Sequence, residues 1–90
     1  MTDLAATLKE RGSRHGDFAE HGNYSQAIKL VIHGSPNWTI LTGYQKEALE
    51  MIAHKIARIL SGDPDYADNW HDIAGYAKLV DDRLEAGTQR

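Results

Sequence analysis

The sequence predicts an all-α fold, a small bundle of about four helices assembled as an oligomer. Three observations carry this reading. Apolar residues recur at three- and four-residue spacing, with no sustained strand-like alternation. Helix punctuation is plain: Thr42-Gly43-Tyr44-Gln45 fits a capping box, and Gly34-Ser35-Pro36 and Gly62-Asp63-Pro64 are stops. The chain has 90 residues and no cysteine, so a single helical domain over residues 1–90 has a small core and no disulfide. Its remaining stability must come from well-packed helices, a bound metal or further copies of itself.

Asp3 can cap a first helix over residues 3–11, with Leu4 and Leu8 at i, i+4 and Gly12 as its stop. The run RGSRHGDF over residues 11–18 reads as a turn-rich connector in which Asp17 can cap whatever follows. A second helix is expected over residues 23–33, with Tyr24, Ala27, Ile28, Val31 and Ile32 on one stripe. After the capping box the third helix runs over residues 43–61, about 27 Å at 1.5 Å per residue, with Trp38 as a lid over it. A fourth helix is expected over residues 66–85, starting between Asp65 and Asp68, either of which can cap it; Thr88, Gln89 and Arg90 form a frayed tail. Trp70 and Tyr76 are expected in the core. Gly75, in mid-helix, signals close helix approach or room for a ligand.

Thirteen acids against ten bases give a net charge of −3, which disfavours DNA or RNA as a partner. No stretch approaches the roughly 20 apolar residues of a membrane span, and the first residues lack a signal-peptide core, so a cytoplasmic location away from membranes is expected. Absence of cysteine excludes a disulfide scaffold, a zinc ribbon and a thiol nucleophile. The five histidines form no H-E-x-x-H pattern, and no serine sits in a nucleophile elbow.

On the third helix, Glu47, Glu50, His54, Lys55 and Arg58 fall within an arc of about 140°, opposite Ala48, Leu49, Ile52, Ala53, Ile56, Ile59 and Leu60. One reading is a solvated face with Glu50 and His54 paired at i, i+4. The other uses the spacing: Glu47 and Glu50 present two carboxylates to Mg²⁺, and Lys55 and Arg58 follow to hold phosphates. Asp68, Asn69 and Asp72 open the fourth helix. Asp68 is a cap or a ligand, whereas Asp72, beside Ile73, Ala74 and Gly75, requires a cation or a metal. Arg14 and Asp17 either lock their loop internally or bring Arg14 towards Asp72.

The runs ERGSRHGDF, EALEMIAHKIARILSGDP and DNWHDIAGYAKLVDDRL resemble a family of short, functionally uncharacterised phage and prophage proteins. That family's usual RYGDF stands here as Arg14-His15-Gly16-Asp17-Phe18, with His15 departing from the pattern. The resemblance implies a phage or prophage origin and the host cytoplasm as the compartment.

A remoter resemblance covers the last two helices. MazG-like all-α nucleoside triphosphate pyrophosphohydrolases carry E-x-x-E and then E-x-x-D around Mg²⁺; here Glu47-x-x-Glu50 is followed by Asn69-x-x-Asp72, with Asn69 replacing one carboxylate. It implies Mg²⁺ on Glu47, Glu50 and Asp72 with Asn69 assisting, and Lys55 and Arg58 neutralising a nucleotide's phosphates. The site would form at a subunit interface of a homo-oligomer, a dimer or higher. The alternative is a non-enzymatic phage accessory protein that binds a host protein or a small nucleotide.

Overall fold

A computed structural model describes residues 2–87; the tail assigned to residues 88–90 lies outside the described residues. Four helices follow one another: α1 (Thr2–His15), α2 (Phe18–His33), α3 (Gly43–Ser61) and α4 (Ala67–Gly87), with a single 3-10 turn at Pro36–Ile40. The fold is all-α, with no strand among the described residues. The capping box opens α3 as the sequence predicts: Thr42 Oγ1 accepts from the Gln45 backbone N–H, and Gln45 Oε1 accepts from the Thr42 N–H.

The first two helices differ from their expected bounds. α1 continues to His15 and α2 begins at Phe18, so the connector shrinks to Gly16 and Asp17. Gly12 and Gly22 are carried inside helices, at a modest propensity cost. Gly16 makes the break, because its φ of 80° lies in the left-handed region. Asp17 then restarts the helix, its carboxylate accepting from the Glu20 backbone N–H at 3.0 Å. At the start of α4, Asp68 lies inside the first turn and accepts from the Tyr66 hydroxyl at 3.0 Å.

The α1–α2 joint is fastened to the end of α3, backbone against backbone. Ser61 Oγ donates to the His15 carbonyl at 2.7 Å, and the Asp63 N–H donates to the Arg14 carbonyl at 2.8 Å. A Cβ on Gly16 would overlap the Ser61 carbonyl, and one on Gly62 would overlap the backbone of Arg14 and His15. Two facing glycines therefore permit the contact.

α3 lies between α2 and α4 and packs along both. The buried apolar residues are Ala48, Ala53 and Ala57, all on α3, where small side chains let neighbouring helices approach. The apolar arc expected to be covered is covered only in part: Leu49 and Leu60 are exposed. Trp38 is half-buried against His33, with Lys46 Nζ 5.4 Å from its ring centre, and so covers the first turn of α3. Trp70, expected in the core, is 56 % exposed and spends its indole N–H on the Pro64 carbonyl at 2.8 Å, fixing the α3–α4 turn. Gly75 marks neither close packing nor a deep site, since a Cβ there would meet nothing within 4 Å. No described helix is long and apolar enough to cross a membrane.

The two kinds of glycine separate in a stability measurement. Gly16→Ala places a side chain at positive φ and against Ser61, so we expect a loss of at least about 1–2 kcal/mol in urea unfolding. Gly75→Ala, in open helix, should gain up to about 1 kcal/mol. Equal midpoints for the two variants would contradict the fastening at Gly16.

Candidate functional site

The residues expected to share Mg²⁺ are divided among different partners. Glu47 is exposed. Glu50 Oε2 lies 2.9 Å from His33 Nε2 on α2, so the i, i+4 pairing with His54 is not made. Asp72 Oδ2 lies 2.9 Å from Lys55 Nζ, whose side chain is only 11 % exposed; this cation satisfies Asp72 as a structural ion pair. The hydrogen bond from Lys55 holds the Asp72 carboxyl below its ordinary range. Asn69 is buried between helices with its Nδ2 unpartnered. Among the described residues, no three His, Cys, Asp or Glu side chains are arranged to hold a metal ion. The donor set as it stands does not fit Mg²⁺.

Arg14 pairs with Glu10 at 2.7 Å, and its guanidinium lies 5.5 Å from the centre of the Tyr66 ring. It locks its own surroundings and leaves Asp72 to Lys55. Lys55 and Arg58, expected to act together on phosphates, serve opposite sides: Lys55 reaches α4, while Arg58 enters a cleft against α1 and α2.

That cleft joins the candidates that remain. It has a volume of about 770 Å³ and is lined by Leu8, Arg11, Gly12 and His15 of α1, the joint Gly16-Asp17, Phe18 and His21 of α2, and His54 and Arg58 of α3. This size suits a small molecule. His21 is 7 % exposed, and its ring stands edge-on to His54 with centroids 4.6 Å apart. Phe18, 83 % exposed, leans over His21. The buried Nδ1 atoms of His15 and His21 have no protein partner. Asp17, the cleft's carboxylate, is committed to the α2 N-terminus.

Burial, followed by the charge of Arg58, pushes all three histidines below their ordinary value, His54 down to about 4. Arg14, Lys55, Lys29 and, at His15 and His54, His21 act in the same direction. The imidazoles are neutral near pH 7, each with one N–H to donate, and the positive field belongs to the arginines and lysines. Guanidiniums beside neutral imidazoles can grip an anion.

Arg11, Phe18 and His21 were outside the site read from sequence, and His15 entered it only as a departure from a pattern. One local signal was available: Asp17 followed three residues later by Glu20 is a helix-start signature that places His21 in the first turn of α2. The approach of His21 to His54 has no such local signal.

These histidines make stability depend on acid. A group whose pKa is about 4 in the fold and 6.5 when unfolded takes up its proton first in the unfolded chain. Its contribution is therefore complete above about pH 6.5 and lost progressively towards pH 4. Urea midpoints should fall as the pH is lowered across that window in the wild type, and fall less steeply in His54→Gln. An identical slope for both would contradict the burial of His54.

A family model described as a domain of unknown function, DUF6378, matches residues 4–84. No curated protein and no solved structure matches the chain. The matched span takes in the helix joint, the cleft and the His33–Glu50 and Lys55–Asp72 contacts, and the chain belongs to the DUF6378 family.

Proposed function

We propose that this protein is a non-enzymatic accessory protein, of the phage type its sequence resembles, that captures a small phosphate-bearing molecule of nucleotide size in the α1–α2–α3 cleft. The observation that carries this reading is the sign of the charge there. In a chain of net charge −3, the cleft is lined by Arg11 and Arg58, and Arg58 dominates the field at its three histidines. Among the described residues no carboxylate pairs with Arg58, which leaves its fork for a phosphate's oxygens.

The remaining lining suits the rest of a nucleotide. Phe18 offers an exposed ring on which a base can stack, an interaction worth about 1–3 kcal/mol per base in single-strand binders. Neutral His15 and His21 can each donate to a ligand oxygen without adding charge. Binding without turnover is part of this proposal. His54, held near 4, is a weak base at neutral pH.

The pyrophosphohydrolase reading asks more of the molecule. Glu50 would have to leave His33, and Asp72 would have to leave Lys55, before either could meet Mg²⁺. No observation favours that exchange over the ion pairs.

Thermal melting with ATP, GTP, a nucleoside monophosphate and inorganic phosphate, each with and without Mg²⁺, tests the proposal. A ligand at about 100 times its Kd adds about 2.7 kcal/mol, a shift of several degrees for a chain this size. We expect such a shift without Mg²⁺ and its loss in Arg58→Gln. No shift with any of these probes would overturn the reading. Mg²⁺-dependent pyrophosphate release that disappears in Glu50→Gln would replace it with the hydrolase.

A further inference from the structure

We infer that a second copy of this chain covers the open face of the α3–α4 pair, forming a two-fold dimer around a four-helix core. The inference is independent of the cleft. It begins with α3, whose Glu50 and His54 face α2 and whose Lys55 faces α4. Between those two sides runs a stripe of Leu49, Ile52, Ile56 and Leu60, at i, i+3, i+7 and i+11. No described helix lies over it in full: Leu49 is 38 % and Leu60 54 % exposed.

α4 presents the matching half. Ala77, Val80 and Leu84, at i, i+3 and i+7, meet Leu49 and Ile52 across a groove of about 380 Å³ that is apolar apart from Gln45 and Asp81 at its lining. Two neighbouring helices, each with an a/d-like stripe on a shared open face, are half of a four-helix bundle.

The occupant is identified by area and shape. The chain exposes 6485 Å², whereas a compact monomer of 10.0 kDa exposes about 5,200 Å². The difference exceeds the ~800 Å² that each partner gives to a standard interface. Its radius of gyration is 15.6 Å, against about 12 Å for a compact chain of this length. A second copy brings the same two stripes, so one two-fold operation covers both faces at once.

Sedimentation of the wild type over a concentration series should give twice the 10.0 kDa chain mass. Leu49→Glu and Leu84→Glu should each return the single-chain mass with the helical circular dichroism retained, while Leu30→Glu, on exposed α2, should leave the dimer intact. A wild-type monomer at every concentration overturns the inference. So does a dimer lost in Leu30→Glu and kept in the other two. Amide exchange on the wild type decides independently of any variant's folding: protection rising with concentration across residues 77–84 supports this face, and protection rising only in α2 overturns it.

Discussion

The structure depends on one backbone contact, that between the Gly16 joint and the Ser61-Gly62 end of α3. α1 is exposed over residues 3–12, and its carbonyls at Arg14 and His15 receive the Asp63 N–H and the Ser61 hydroxyl. Without the contact, α1 would be a lone 14-residue helix, a length that is marginal in water. The positive φ of Gly16 also turns the chain so that α2 starts alongside α3 and His21 arrives against His54. The cleft is the space this turn leaves open.

Around that contact, α3 works as a two-sided element. Its neighbouring side chains fall to different sides: Glu50 and His54 to α2, Lys55 to α4, Arg58 to the cleft. The charges thereby separate by role. Glu50 and Asp72, two carboxylates of the expected cluster, are consumed in cross-helix pairs with α2 and α4. Arg58 is left in a cleft with three lowered-pKa histidines, Arg11, and an Asp17 committed to the α2 N-terminus. A negatively charged chain acquires a positive pocket by this placement and not by its composition.

Much of the fold is legible locally, because caps and stops are short-range. Thr42 with Gln45, and Gly62 before Pro64, set the ends of α3 in the sequence as in the structure. The α1–α2 joint is less legible, since Gly12, Gly16 and Gly22 look alike on paper and only the contact with Ser61 selects Gly16 as the break. Among the candidate site residues, His54 and Arg58 could be seen on the wheel of α3. Their partners His15, His21 and Arg11 could not, because a helical wheel says which way a side chain points and nothing about what lies opposite. The same limit applies to Trp70, whose apolar ring reads as core while its N–H is needed at Pro64.

A chain whose buried apolar residues, among the described residues, are three alanines on one helix has little core with which to hold its outer elements. α1 shows the consequence most clearly, with Leu4 63 % and Leu8 58 % exposed. Leu8 and Arg11 line the cleft from α1, while His21 comes from α2 and Arg58 from α3. A ligand seated there would touch all three helices, adding contacts along the stretch where α1 has few. Binding and the ordering of α1 are then coupled: part of the ligand's interaction energy goes into fixing the helix, and an α1 already held in place would raise the affinity. If the cleft takes the ligand proposed for it, the exposure of α1 is a functional property of the site as well as a cost to stability.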